Sequence, residues 1–183
     1  GFANTYLIGT EEGGDAILVD PGTMDTELLS LIEHNNYYIR TVLVTHNHSS
    51  HVRGITTLRK IYESAIYAAD TEIEGFPAQP LGDGDTISCN GIEVQSIEVQ
   101  GHSADSLVYH VGDMIFTGDV LAAGRVGNTE NSFSRALLLR SISEKLFDLP
   151  DRTLIFPGHG PPSTLRAEKM FNPDLQLLEQ GSL

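Results

Sequence analysis

Hydrophobic and polar residues in the first half of the chain alternate between strand-like and helix-like spacing. Two apolar or alternating segments flank the Glu- and Gly-rich residues 11–14, which predicts a β-hairpin. Leu28, Leu29 and Ile32 recur at helical spacing, so we expect an amphipathic helix around them. The elements predicted for this half are strands at 4–9, 15–19, 41–45 and 65–68, and helices at 24–34 and 52–63.

Strands joined by short turns dominate the second half. Residues 75–84 are rich in Gly and Pro and predict a loop. Tight turns at residues 89–91 and 112–113 separate apolar segments. The elements predicted here are strands at 85–88, 92–99, 106–111, 114–117 and 153–156, and helices at 134–147 and 163–170.

The order of these elements indicates the fold class. Turns of hairpin length join the middle strands, which excludes a single parallel sheet because parallel strands need long crossovers. Two sheets packed face to face, with helices outside, satisfy the pattern. With 183 residues the chain can bury a full core. We therefore expect an α/β fold in one domain covering residues 1–183.

Composition narrows the function. The net charge of −14 opposes a nucleic-acid partner. No apolar run approaches the roughly 20 residues that cross a membrane, and the start lacks a signal-peptide pattern. Cys89 is the only cysteine, so disulfides and thiolate zinc sites are excluded and a reducing, cytoplasmic location is the expectation. We expect a small-molecule substrate; the oligomeric state stays open.

The most informative stretch is T-H-x-H-x-S-H, which begins at Thr45. It carries His46, His48 and His51 and follows the predicted strand at 41–45. The histidines therefore lie in a loop between the carboxyl end of a strand and a helix. Open α/β sheets bind their ligands at such loops. This placement favours a metal site over surface histidines.

Four further segments place polar side chains directly after apolar strands. They are Asp20, Gly101–His102–Ser103, Gly118–Asp119 and Pro157–Gly158–His159–Gly160. His46, His48 and His102 can offer three imidazoles to one divalent ion and leave a position for water, as in catalytic zinc sites. His51 and His159 can hold a second ion, with Asp119 bridging the two. Asp20 either has a structural role or points into the site.

These motifs, in this order, resemble the metallo-β-lactamase superfamily, and most closely its glyoxalase II-like branch. Val19–Asp20–Pro21–Gly22, Glu168 and Asn172–Pro173 extend the match over nearly the whole chain. The resemblance implies a four-layer αββα sandwich of two mixed sheets with the metals at one edge. It assigns His46, His48 and His102 to the first metal, His51 and His159 to the second, and Asp119 to both. Zinc is the expected metal, one or two ions, with iron or manganese as alternatives.

Two features depart from that branch. The family pattern is H-x-H-x-D-H, and Ser50 stands where the aspartate belongs. A neutral hydroxyl is a poor ligand, so we expect a weaker second ion or a one-metal site. Only ten residues follow Pro173, so we also expect the glutathione-binding helical domain of glyoxalase II to be absent. Asp105, near His102, is a further carboxylate whose relation to the site the sequence leaves open.

The leading hypothesis is a metal-dependent hydrolase that cleaves a thioester or ester with a metal-bound hydroxide. Asp119 would hold the metal and the nucleophile, and Ser50 would hydrogen-bond the attacking water. One alternative is a mononuclear iron oxygenase similar to persulfide dioxygenases, with His46, His102 and Asp119 as a facial triad. Another is a non-catalytic metal-binding domain.

The segment that follows Asp119 contains two residues with an open role. Arg125 and Asn128 either line the mouth of the pocket or are ordinary loop residues. The sequence favours ordinary loop residues.

Overall fold

The computed structural model describes residues 1 and 3–179 and contains two main β-sheets. The first sheet has the order β1-β2-β3-β4-β7, in which β1 is antiparallel to β2 and the other neighbours are parallel. Its strands are β1 (Tyr6–Ile8), β2 (Gly14–Val19), β3 (Tyr37–Leu43), β4 (Ala65–Ala68) and β7 (Gln79–Pro80).

The second sheet has the order β15-β14-β11-β10-β9-β8, in which only the β11–β14 pair is parallel. Its strands are β8 (Thr86–Cys89), β9 (Ile92–Glu98), β10 (Leu107–Val111), β11 (Met114–Gly118), β14 (Leu154–Pro157) and β15 (Ser163–Thr164). Two small hairpins complete the β-structure, β5 (Glu72–Ile73) with β6 (Phe76–Pro77) and β12 (Leu121–Ala122) with β13 (Arg125–Val126).

Helices cover the outer faces of both sheets. They are α1 (Thr26–His34), α2 (Ser49–Val52), α3 (Ile55–Leu58), α4 (Ser132–Leu146), α5 (Leu165–Phe171) and α6 (Pro173–Glu179). Side chains of α1, α2 and α3 pack on the first sheet, and side chains of α4, α5 and α6 pack on the second. No helix within residues 1 and 3–179 has the length and apolar character needed to span a membrane.

Strand alternation divides the buried residues into three layers of core. In β2, Ile17 and Val19 face the second sheet, whereas Leu18 faces the helices. In β10, Tyr109 lies between the sheets and Val108 packs under the other helices. Because successive side chains of a strand point to opposite faces, each sheet contributes to an inner and an outer core. The expected αββα sandwich of two mixed sheets is therefore confirmed.

Two predicted segments differ most from the structure. The helix expected at 52–63 is replaced by two short helices, α2 and α3, separated at Gly54. The Gly54 amide donates to Pro21 O at 2.8 Å, and a Cβ at Gly54 would lie 2.4 Å from that oxygen. This tertiary contact outweighs the helical spacing of the apolar residues. The loop expected at 75–84 contains β6 and β7, because β7 completes the edge of the first sheet.

One buried hydroxyl connects the two sheets below the histidine loop. The Tyr109 hydroxyl, on the second sheet, donates to Val44 O at 2.8 Å and lies 3.3 Å from Tyr67 O on the first. Tyr109 is fully buried, so the hydroxyl has no water to replace these carbonyls.

We predict that Tyr109→Phe lowers the free energy of unfolding by about 1 kcal/mol, because it removes one buried hydrogen bond. Urea unfolding followed by circular dichroism measures the change. Tyr67→Phe is the matched control, since the Tyr67 hydroxyl makes no hydrogen bond among the described residues. Equal stability of Tyr109→Phe and the wild type would contradict the role of this contact.

Candidate metal centre

The carboxyl ends of strands from both sheets meet at one edge of the sandwich. The histidine loop follows β3 in the first sheet. In the second sheet, His102 follows β9, Asp119 follows β11 and His159 follows β14. The six side chains that the sequence singles out as metal ligands all converge at this edge, in two groups.

The first group contains His46, His48, His102 and Asp119, whose candidate ligand atoms all lie within 4.8 Å of one another. His46 Nε2 lies 2.8 Å from His48 Nδ1 and 3.4 Å from His102 Nε2. Asp119 Oδ2 lies 4.0 Å from His46 Nε2 and 3.9 Å from His102 Nε2. Two nitrogens bound tetrahedrally to one zinc ion would be separated by about 3.3 Å. The spacing therefore fits a single ion.

Hydrogen bonds behind the imidazoles assign their tautomers. Thr45 Oγ1 donates to Asp20 Oδ2 at 2.7 Å, so it accepts the Nδ1 proton of His46 at 3.1 Å. His102 Nδ1 donates to Asn128 O at 2.8 Å. Both Nε2 atoms consequently carry lone pairs, and they face each other at 3.4 Å. A cation between these atoms relieves the repulsion, which is how metal-bound imidazoles are normally arranged.

The second group contains His51, His159 and Asp119. His51 Nδ1 donates to Asp20 Oδ2 at 2.9 Å, which directs Nε2 toward Asp119 Oδ1 at 3.3 Å. Both of these facing atoms are buried and lack a hydrogen-bond partner of good geometry. His159 Nε2 lies 3.8 Å from Asp119 Oδ2. Buried polar atoms without partners are costly, so this group also fits a cation.

Burial and charge set the protonation of the site. Burial, together with the charge of His51, lowers the pKa of His46 to about 2, so His46 is the neutral imidazole that binds metals. Burial alone would lower the pKa of His51, but its contacts with Asp119 and Asp20 raise it to about 9. Burial opposes ionisation of Asp119, yet His51 lowers the pKa of this carboxyl to about 2. A proton on His51 therefore supplies positive charge where the second ion would bind, and ion binding would displace it.

Glycines allow the backbone to approach these side chains. A Cβ at Gly158 would lie 2.5 Å from His51 Cε1 and 2.6 Å from Asp119 Oδ1. Gly118 has a φ of +49° and lies against the Thr45 hydroxyl, which a Cβ would approach to 2.3 Å. Gly118 and Gly158 of the strand-end motifs are thus required by close packing around the site.

The structure resolves the residues whose roles the sequence left open. Asp20 is buried behind His51 and Thr45 and is not a member of either group. Asp105 Oδ2 accepts the Asn47 amide at 2.7 Å, so it fixes the histidine loop and belongs to neither group. The Ser50 side chain makes no hydrogen bond among the described residues, while its carbonyl accepts the Ala3 amide at 3.1 Å.

Two residues that the sequence favoured as ordinary loop positions lie at the site, which corrects that interpretation. Arg125 and Asn128 line a cavity of about 230 Å³ together with His102, Asp119 and His159. Thr45 is a further site residue that the sequence does not single out, and its hydroxyl orients His46. Its position at the start of the histidine motif was the available signal.

The two-sheet sandwich with histidines and a shared aspartate at one edge defines a class of metal-site proteins. The chain belongs to the metallo-β-lactamase superfamily, whose sequence model matches residues 1–159. An uncharacterised protein of Mycobacterium tuberculosis is 32% identical over 97% of this chain and 94% of its own length. The probable metallo-hydrolase YqgX of Bacillus subtilis is 28% identical over 94% of this chain and 92% of its length. Hydroxyacylglutathione hydrolase of Klebsiella pneumoniae is 30% identical over 86% of this chain and 62% of its length.

Solved structures share the fold. ETHE1 from Myxococcus xanthus superposes with a TM-score of 0.84 at 27% identity, over 99% of this chain and 87% of that protein. TTHA1623, crystallised in a di-iron-bound form, gives a TM-score of 0.78 at 28% identity, over 93% of this chain and 94% of that protein.

We predict that Gly158→Ala lowers metal affinity by about 10–100-fold, the usual range for disturbing the partners of metal ligands. The new Cβ would displace His51 and Asp119, whereas the core under the helices would stay intact. Metal titration with a competing chelator measures the affinity. Gly82→Ala is the matched control, since its Cβ would meet only Asp85 Oδ2 at an ordinary 3.6 Å. Unchanged affinity in Gly158→Ala would refute the packing argument.

Proposed function

We propose that this protein is a glyoxalase II-like, metal-dependent hydrolase that cleaves a thioester or ester. The observation that carries the proposal is the convergence of unpartnered, buried ligand atoms on Asp119 beside an open cavity. Zinc, as one or two ions, is the metal that nitrogen and oxygen donors at this spacing suit. The similarity to the Klebsiella pneumoniae hydroxyacylglutathione hydrolase supports the reaction class.

When bound, the metal lowers the pKa of water to about 7 and polarises the carbonyl oxygen of the substrate. The residues of the chain supply the rest. Asp119, with its pKa lowered to about 2, stays ionised and accepts a hydrogen bond from the attacking water. Asp20 and Thr45 keep the imidazoles oriented. Ser50 is proposed to donate or accept a further hydrogen bond with the water, in place of the family aspartate.

The chemistry of the leaving group favours a thioester. A thiol has a pKa of about 8.5, so the thiolate leaves without needing a proton from the protein, whereas an alkoxide is far more basic. Asp119 is the one carboxylate in the two groups, and a second ion would displace the proton of His51, so the metal-loaded groups offer no separate acid. A site with this composition suits a substrate whose leaving group needs little protonation.

A mononuclear iron oxygenase is the second candidate. His46, His102 and Asp119 provide the two imidazoles and one carboxylate of a facial triad. The relative crystallised in a di-iron-bound form supports iron as a metal for this fold. His48 argues for the hydrolase, since it lies 2.8 Å from His46 and a triad does not require it.

We predict that the zinc-loaded protein hydrolyses thioesters without oxygen. We also predict that Asp119→Asn lowers kcat/KM by more than the 10–100-fold that is typical when a hydrogen-bond partner of a metal ligand is replaced. Release of free thiol under nitrogen measures the rate. Asp113→Asn is the control, because Asp113 lies in an exposed turn paired with Arg152. Absence of thioester cleavage, combined with oxygen consumption on a persulfide by the iron-loaded protein, would favour the oxygenase.

We further predict that Ser50→Asp tightens the second metal ion at least about tenfold, since it adds a carboxylate where the family has one. Equilibrium dialysis against zinc, with ions per chain as the readout, tests this expectation. Ser49→Asp adds the same charge at the preceding, exposed position and controls for general electrostatic attraction. If both variants tighten the second ion equally, Ser50 has no special position in the site.

A further inference from the structure

Arg125 stands on the wall of the cavity that opens onto the metal centre. The cavity is bounded on one side by His102, Asp119 and His159 and on the other by residues 125–128. The Arg125 side chain is exposed, and no hydrogen bond or ion pair to it exists within the part of the chain that the structure describes. Other arginines, such as Arg40, Arg135 and Arg152, are held in ion pairs with aspartates. A guanidinium beside the reaction centre is therefore free to bind a ligand.

The backbone on both sides of Arg125 is fixed. The preceding amide, of Gly124, donates to Glu168 Oε2 at 2.9 Å, and the following amide, of Val126, donates to Asp174 Oδ2 at 2.9 Å. The same two carboxylates also accept hydrogen bonds from other side chains, Glu168 from Asn172 and Asp174 from Arg135. Both acids hold the β12–β13 hairpin in place and have other partners than the guanidinium.

The same hairpin lies directly against the metal-site residues. A Cβ at Gly127 would come within 2.1 Å of Asp119 O and 3.0 Å of His102 Nδ1. Asn128 O also accepts a hydrogen bond from His102. The segment that carries Arg125 is thus part of the construction of the site, and its position relative to Asp119 is fixed.

The positive charge of Arg125 contrasts with the negative charge of the chain as a whole. The chain carries a net charge of −14, which repels anionic ligands in general. A guanidinium offers a planar fork of donors that binds a carboxylate through two parallel hydrogen bonds. The cavity of about 230 Å³ is smaller than the roughly 300–1,000 Å³ of sites for drug-sized ligands, which indicates a small substrate group.

We propose that Arg125 is a specificity-determining residue that binds a carboxylate of the substrate, so that the preferred substrates are small thioesters carrying a carboxylate near the scissile carbonyl. This inference rests on the proposed hydrolase function. The carboxylate belongs either to the acyl group or to the thiol, and the same guanidinium chemistry serves both.

Matched thioester pairs test the proposal and identify the source of the carboxylate. For the acyl side, glutaryl and pentanoyl thioesters of N-acetylcysteamine are compared. For the thiol side, acetyl thioesters of β-mercaptopropionate and of its amide are compared. In one of the two pairs, we expect Arg125→Gln to lower kcat/KM for the carboxylate-bearing member about 10–100-fold, because one charge-assisted contact is lost. For the neutral member of that pair, we expect kcat/KM to fall less than about twofold.

Two further variants separate this role from general electrostatics. Arg125→Lys keeps the charge and should restore part of the preference, whereas Lys60→Gln removes an exposed positive charge outside the cavity lining and should leave it unchanged. The assignment of Arg125 would be overturned if Arg125→Gln lowered kcat/KM equally for the charged and neutral members of both pairs. It would also be overturned if the substitution lowered kcat/KM for none of them.

A binding measurement keeps this inference separate from the proposed reaction. Titration calorimetry on the zinc-loaded protein compares glutarate with pentanoate, and β-mercaptopropionate with its amide. The wild type should prefer the member with the additional carboxylate in one pair by about tenfold, and Arg125→Gln should abolish that preference. If no thioester is hydrolysed but this preference depends on Arg125, only the reaction class fails. If the wild type shows no preference in either pair, the carboxylate site is refuted.

Discussion

The shape of the metal centre depends on one buried carboxylate. Asp20 accepts three hydrogen bonds, from the Thr45 amide at 2.8 Å, the Thr45 hydroxyl at 2.7 Å and His51 Nδ1 at 2.9 Å. Burying a charge is costly unless it is paired and hydrogen-bonded, so the loop after β3 must adopt the conformation that provides these donors. Because Thr45 in turn packs against Gly118 of β11, the same network fixes the two sheets relative to each other at the edge where the metal ligands meet.

The sequence predicts the long elements and the ligand set, but not the connections that orient them. Strands such as β2 and β10 are apolar over enough consecutive residues to be recognised. The pairs β5–β6 and β12–β13 have two residues per strand, too few to show any period. Asp20 could not be assigned from sequence, because the direction of a side chain at a turn depends on the opposite loop. The position of Arg125 at the cavity is not predictable from sequence for the same reason, since it depends on the tertiary contacts of the β12–β13 hairpin.

The charge of the two ligand groups is the reason to expect an effect of a carboxylate at position 50. Five imidazoles and one carboxylate, Asp119, surround the space for two ions. Two divalent cations would bring four positive charges against this single negative charge, with Asp20 acting only through the imidazole of His51. The first group has three imidazoles and the carboxylate, whereas a second ion would have to compete with the proton on His51, whose pKa, despite burial, is raised to about 9 by the contacts with Asp119 and Asp20. Occupancy of the second group is thus the property that a carboxylate at position 50 would change most.

The last two helices shape the site, although none of their described side chains belongs to either ligand group. Glu168 of α5 and Asp174 of α6 hold the amides on either side of Arg125, so contacts more than 40 residues away in sequence position the wall of the cavity. Specificity is a difference between affinities. A protein of net charge −14 repels an anion unless a positively charged side chain compensates the repulsion. In the proposed complex, Arg125 provides this compensation for a ligand whose carboxylate reaches the guanidinium while its carbonyl lies at the metal centre. The overall acidity and the single free guanidinium at the cavity therefore act together, the first rejecting anions of the wrong shape and the second accepting those of the right one.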